Sequence, residues 1–380
     1  MRNNAIIDPQ TIRRRSSIAA VAISVAATVI AASGDARADK VATKSSSAPA
    51  PAAPPPLPPA PLGVFGADMA PAGKLVLSII PQFANLSTSL IGTRPVSSQE
   101  IAATVPYFFN PTQKLRLVPQ NAAVATQTVA LAYGVTKELS VVFTAGMIER
   151  NLDMLTFRGL AGIIPRGMSY TGTTGLTDFT LSGIYRIYQD PIHRIQFNAG
   201  VTFPTGSNTN TFTLLQPDGT YATNRAFYAM QPGTGTFDVM PGVVYAGHLE
   251  KWSWGVSYRG RFPIAANRQG YLWGDLHEFN GWGGYTWIPG LTTTFRVNAS
   301  IQGPIRGYDP NIRGRAQAAN PNFYGGERIE LFGGAVISGK FVGYENVTLA
   351  VEAGAPVYQN LNGPQLSKNW QAGMALRWRI

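Results

Sequence analysis

The imidazoles of His193, His248 and His277 are the only ones the chain has, and it contains no cysteine. No HxH or HxxxH spacing joins the three, so composition excludes thiolate sites and disulfides, and no metal centre or cofactor is expected. Ester cleavage would need a serine within hydrogen-bond reach of one of these rings. His193 closes the QDPIH segment, His248 begins HLEK, and His277 lies among aromatic residues, so none sits where a nucleophile would be activated. A lipid hydrolase therefore stands only as an alternative reading.

Carboxylates offer a second chemistry. Asp178, Asp238, Glu278, Glu330 and Glu352 could supply the two acids that glycoside-type hydrolysis requires. They share a strand parity with Arg186, Arg194, Arg259, Arg261, Arg296, Arg328, Arg377 and Arg379, so pairing with guanidinium groups is the expected role. Eight arginines against five acids leave a cationic surplus. Around a pore, that surplus favours anions and can stack on aromatic rings, so aromatic acids or similar small anions are the solutes it suits. The opposing possibility is a lumen closed by its own ion pairs.

The elements that must position these groups follow from a period of two. In the last stretch Trp370, Ala372, Met374, Leu376, Trp378 and Ile380 fall on one side, and Asn369, Gln371, Gly373, Ala375, Arg377 and Arg379 on the other. In 194–203, Ile195, Phe197, Ala199, Val201 and Phe203 oppose Arg194, Gln196, Asn198, Gly200 and Thr202. The same alternation predicts twelve strands, near 73–87, 124–135, 139–149, 176–188, 194–204, 234–247, 252–264, 276–287, 291–303, 327–339, 347–357 and 369–380. Each reaches the roughly 9–11 residues that a tilted strand needs to cross a bilayer. Short connections such as 136–138, QDPIH, HLEK and 288–290 alternate with long ones, notably 150–175 and 205–232, as in outer-membrane barrels. Those long loops are polar and rich in Gly and Thr, suited to gating, capping or binding a partner. Aromatic residues are expected to form two belts, with Tyr188, Tyr245, Trp252, Trp287 and Trp378 at the short turns and Tyr107, Trp273 and Trp370 toward the long loops.

The amino-terminal region has a different character. Arg13–Arg15, an apolar run at 16–32 and the small-x-small sequence Ala36-Arg37-Ala38 read as a cleaved export signal over 1–38. Its removal leaves 26 basic and 18 acidic residues, a charge of +8. Export makes nucleic acid an implausible partner for that excess. Residues 39–70, which include SSSAPAPAAPPPLPPAPLG, are too dense in proline for helix or ladder and read as a disordered linker, leaving 71–380 as the barrel. No apolar run after Asp39 is long enough for a spanning helix.

Several stretches resemble the meta-pathway phenol-degradation-like outer-membrane family. They are GLTDFTLSGIYRIY (175–188), RIQFNAGVTFPTGS (194–207), MQPGTGTFDVMPGVVYAG (230–247), KWSWGVSYRG (251–260) and LAVEAGAPVYQNLNGPQL (349–366). The resemblance covers about the last two-thirds of the chain. It implies a bacterial outer-membrane barrel that passes small, often hydrophobic or aromatic compounds. A Met- and His-rich stretch found in some relatives is absent at MAPAGKLVLSIIPQFANLSTSL, so no metal role is carried over.

Together these readings predict an all-β protein, a closed antiparallel transmembrane barrel of about twelve strands in a Gram-negative outer membrane, both barrel termini on the periplasmic side. The expected function is a channel for small organic solutes, not an enzyme. Its expected partners are outer-membrane lipid, those solutes and the barrel-assembly machinery. A non-conducting binding or structural barrel with functional loops is the alternative.

Overall fold

Period-two segments fold as strands because each then buries one side chain set and turns the other to lipid. The structure, a computed structural model, describes residues 58–380; the expected signal segment and residues 39–57 of the expected linker lie outside the described residues. The wall is built from β1 (Leu75–Gly92), β2 (Leu117–Gly134), β3 (Leu139–Phe157), β4 (Pro165–Leu176 continuing as Phe179–Gln189), β5 (His193–Phe203), β6 (Asp238–Leu249), β7 (Trp252–Pro263), β8 (Leu276–Ile288), β9 (Leu291–Gln302) and β10 (Gly326–Ser338). A last extended segment, Val347–Arg379, completes it and pairs antiparallel with both β10 and β1.

That last segment is two strands. Fully extended, its 33 residues would run for about 110 Å, several times the height of any wall. Leu361 is paired with both Gly92 and Gly326, Gly363 has φ +76°, and Gln359 and Lys368 exchange hydrogen bonds of 2.9 and 3.1 Å. The chain therefore folds back at 362–363 into β11 (347–361) and β12 (364–379). A meander whose neighbours are all antiparallel can close antiparallel only with an even number of crossings, so eleven extended segments give twelve passes. Closure leaves no open edge.

The outward face is apolar, as the alternation requires. Val129, Leu131, Phe143, Phe197, Val243, Val256, Phe295 and Met374 are all exposed on it. In water such a continuous greasy belt would be a liability; in a bilayer it meets acyl chains. Tyr188, Trp252 and Trp287 are exposed at the short-turn end, where Trp252, Tyr285 and Trp287 stack edge-on in series at 4.7 and 4.8 Å. The outer belt differs from expectation. Trp370 is exposed, but Trp273 turns inward and Tyr107 donates to the Arg313 carbonyl among the loops at 2.6 Å, because both lie in connections that pack into the loop layer and not on the wall strands.

β1, β2 and β3 run well past the predicted limits, and β4 begins at Pro165. Above the wall the long loops pack on one another. Phe212, Leu214, Phe227, Tyr228, Met230, Tyr271, Ile305, Ile312 and Tyr324 form one buried cluster, so the loops expected to be merely polar make a lid with its own core. A second cluster seats α1 (Ser98–Thr104), which Ser97 caps by accepting from the Glu100 amide, against Leu115, Val118 and Phe157. The guanidinium of Arg116, fully buried, ties this together by donating to the carbonyls of Leu115, Ala102 and Gly162.

The lid core is testable by alkali. Burial pushes the Tyr271 phenol up to about 12 and raises Tyr228 and Tyr324 as well. A raised folded-state pKa means that the stabilisation is complete below the ordinary value near pH 10 and is lost as pH rises through the folded values. Of the 15 tyrosines, these three are expected to ionise last when absorbance at 295 nm is followed, and only as the lid comes apart.

Candidate functional site

The polar face of the wall encloses a segment of the chain itself. Residues 58–73 enter at the short-turn end, where Pro58 and Ala60 lie against Arg194, His248 and Trp282, rise to mid-lumen around Gly63–Gly66, and return to the same end before β1. Residues 58–70 had been expected to belong to the linker; here they are a plug. Proline stiffens its start, and the mixed sequence Gly63–Met69 gives it the polar contacts that a spacer would lack.

The predicted interior arginines hold this plug. Arg194 donates to the Ala67 carbonyl at 2.5 Å, and Arg377 pairs with Asp68 at 2.9 Å. The Arg259 guanidinium lies 4.0 Å over the Phe65 ring, with Met240 sulfur at 3.7 Å, and Arg186 reaches the Met69 sulfur at 3.7 Å. With its amide nitrogen turned to the plug, Gln196 donates to Gly66 and Ala67 carbonyls at 2.9 and 3.0 Å, and Ser140 donates to Ala70. Two glycines are required by closeness: a Cβ on Gly66, at φ +81°, would meet the Asn198 amide at 2.7 Å, and one on Gly134 would strike the Pro71 carbonyl.

The remaining predicted residues divide by partner. Arg296 makes a two-pronged bond to Glu352 at 2.9 and 2.7 Å, donates to Asn280 and covers the Phe332 ring at 4.0 Å. Arg261 pairs with buried Asp238 at 2.5 Å. Glu330 pairs with Lys368, a cation that parity reading had not named, at 2.9 Å. Glu278 lies near Arg259, Arg379 is exposed at the end of β12, and neither Glu278 nor Arg328 has an ion pair among the described residues.

Asp178 corrects the expectation that the carboxylates pair with arginine. It stands in the interruption of β4 between Leu176 and Phe179, where its two oxygens accept from the Gly206 amide at 2.9 Å and from both the Thr234 amide and hydroxyl at 2.8 Å. This carboxylate latches the 204–237 loop to the wall. Asp178→Ala is expected to remove three charge-assisted bonds and loosen that loop, giving faster amide exchange at Gly206 and Thr234 while wall strands stay protected. Unchanged exchange at both amides would show that the latch is not needed.

Between plug and lid are two cavities. The lower, about 350 Å³, is lined by Asp178, Arg261, Met240, Thr202, Gln231 and Arg150. The upper, about 240 Å³, is walled by Leu152, Phe227, Trp273, Phe323, Tyr324 and Leu366, with Arg150 and Arg328 among them. Arg150, Trp273 and Gln302 border both. Sequence reasoning missed Arg150 because β3 was ended at 149, and missed Trp273 because it was assigned to lipid.

Two of the three histidines bond to tyrosines, and the buried His248 Nδ1 has no partner among the described residues. His193 Nδ1 is 2.9 Å from the Tyr245 hydroxyl and His277 Nδ1 is 3.0 Å from that of Tyr258. Among the described residues no group of three His, Cys, Asp or Glu could hold a metal ion.

No protein-family model and no curated protein matches the chain. Among solved structures it is similar to an outer membrane channel from Pseudomonas putida F1, at 14% identity and a TM-score of 0.53, covering 83% of this chain and 100% of that one. It also overlaps the P. putida toluene transporter TodX, at 9% identity and a TM-score of 0.40, covering 82% of this chain and 91% of that one. The translocator domain of the autotransporter NalP from Neisseria meningitidis overlaps at 10% identity and a TM-score of 0.42, covering 83% of this chain and 91% of that one. The last two overlaps are too loose to argue from, and at 14% identity the first shows the fold alone: the chain is a closed antiparallel β-barrel of the outer-membrane kind.

Proposed function

We propose that this chain is an outer-membrane channel for small organic solutes, shut at its short-turn end by residues 58–73 and narrowed at its outer end by the loop lid. The reading is carried by what fills the lumen. A barrel sealed permanently would close its bore with side chains of the wall, whereas here the lower bore is filled by the segment preceding β1, attached through a few hydrogen bonds, one half-buried ion pair and one cation–π contact. Such contacts are individually weak and can be exchanged for water or solute. Above the plug lie cavities of the size of small molecules, in line with the bore. The short-turn end faces the periplasm in this reading, and both barrel termini emerge there.

The test is solute uptake by proteoliposomes holding the full chain, with a panel of neutral and anionic single-ring compounds. Arg259→Ala releases Phe65 and is expected to raise uptake across the panel. A correctly folded barrel that admits none of them, with or without residues 58–73, overturns the reading. Such a barrel would instead be a binding or structural one that works through its loops. His193 and His277, each bonded to a tyrosine hydroxyl, are given no catalytic part, and outer-membrane lipid and the barrel-assembly machinery are the partners this reading calls for.

A further inference from the structure

We propose that the upper cavity is a binding site for a small monocarboxylate with an apolar, single-ring body, its carboxylate held by Arg328 with Arg150 beside it. Most interior guanidinium groups already have a partner: Arg261 has Asp238, Arg296 has Glu352, Arg377 has Asp68, and Arg186, Arg194 and Arg259 grip the plug. Arg328 has no ion pair and no side-chain hydrogen bond among the described residues. Its Nε is buried without a hydrogen-bond partner, and Glu330, whose charge acts on it from two residues along the strand, is in an ion pair with Lys368 at 2.9 Å. Arg150 donates to the Gln231 carbonyl and meets no carboxylate among the described residues. Both side chains border the upper cavity.

The rest of that cavity is the wrong place for a lone cation. Trp273, Phe227, Phe323, Tyr324, Leu152 and Leu366 give it an apolar wall, in which an unpaired guanidinium is strongly disfavoured. Water could solvate the charge but would leave the rings wet. Inorganic phosphate could pair with the charge but would leave the rings unfilled, and a neutral ring would do the reverse. A ring bearing one carboxylate satisfies both, since the planar fork of arginine matches a carboxylate and ring edges pack on Trp273 and Phe227. A volume of about 240 Å³ admits one ring and not a long acyl chain. Arg150, which borders the lower cavity as well, then stands where the anion would pass downward toward Arg261.

This site rests on the channel reading only for the route by which solute arrives; occupancy itself is read without transport. The full chain in detergent is titrated with benzoate, benzyl alcohol and inorganic phosphate, followed by calorimetry and by tryptophan fluorescence, and Trp273→Phe identifies the fluorescence change that belongs to this cavity. Benzoate is expected to bind about tenfold or more tightly than benzyl alcohol, and phosphate not to bind measurably. Arg328→Gln should erase that preference while benzyl alcohol is unaffected, and Arg328→Lys should restore part of it. Equal binding of benzoate and benzyl alcohol to the unaltered chain overturns the proposal, and so does a preference that survives Arg328→Gln. The first comparison needs no variant to fold. Benzoate binding in a chain that conducts nothing after plug removal sinks the channel reading and supports this one. Conduction without a preference for benzoate does the opposite.

Discussion

A chain lacking residues 39–73 is expected to conduct in planar bilayers about tenfold or more strongly than the full chain, with a shift toward anions. Deletion leaves the wall intact, because β1 begins at Leu75 and its ladders to β2 and β12 involve no plug residue. What is lost is the filling of the lower bore. What is exposed is the set of cations that the plug had occupied, Arg186, Arg194, Arg259 and Arg377, against which Asp68 no longer stands. The freed guanidinium groups line one bore, so a reversal potential measured across a salt gradient should move toward the anion value. The lid remains, so conductance should stay below that of a wide general porin. A deletion variant as silent as its parent would mean that the lid, not the plug, closes the barrel.

The second large effect is expected on stability. Glu352→Gln should destabilise the barrel by about 3–5 kcal/mol, because Arg296 would be left buried with no counter-charge. Arg296 is 5% exposed and Glu352 8%, so little water is available to compensate. Asn280 and the Phe332 ring would still touch the guanidinium, which places the cost toward the lower end of that span. By contrast, Asp238→Asn should cost less, since the Arg261 side chain is 35% exposed and can turn to water. Urea unfolding in liposomes reads both. Replacing Arg296 and Glu352 together by apolar residues of similar volume should recover most of the loss, and a loss that is simply additive would show that the two do not act as a pair.

The wall was legible in the sequence and its contents were not. Lipid on one side and water or charge on the other impose a strict period of two, and Arg194, Gln196 and Asn198 against Phe197 and Val201 show it without interruption. That periodicity stops being informative above the membrane, where β2 and β3 leave lipid and both faces meet protein; hence their outer ends, Arg150 and the inward turn of Trp273 went unread. The final turn was hidden for another reason. Asn362-Gly363 joins β11 to β12 so tightly that the expected loop at 358–368 is mostly ladder.

The plug was missed because proline content was read as a spacer signal for the whole of 39–70. Proline does argue against helix and ladder, and 58–73 forms neither beyond a single bridge at Ala72. It does not argue against burial. The available clue was the change in character at Gly63-Val64-Phe65-Gly66-Ala67-Asp68, where apolar, aromatic and acidic residues replace the Ala/Pro repeat. The candidate site followed the same division. Parity found the eight arginines, but whether each faces solute, an acid or the chain's own plug is set by contacts far apart in sequence, such as Arg377 with Asp68.

The most direct measurement is to lock the plug in place. The chain has no cysteine, and a Cβ built on Gly66 would lie 3.5 Å from that of Asn198, within the about 3.5–4.5 Å that a disulfide spans; replacing Asn198 removes the amide that crowds this Cβ, and the backbone strain at φ +81° is common to the oxidised and reduced forms being compared. With Gly66→Cys and Asn198→Cys together, the oxidised protein should hold the bore shut to benzoate and small ions in proteoliposomes, and dithiothreitol should restore passage. Equal flux through the oxidised and reduced forms would contradict the claim that movement of residues 58–73 governs the channel.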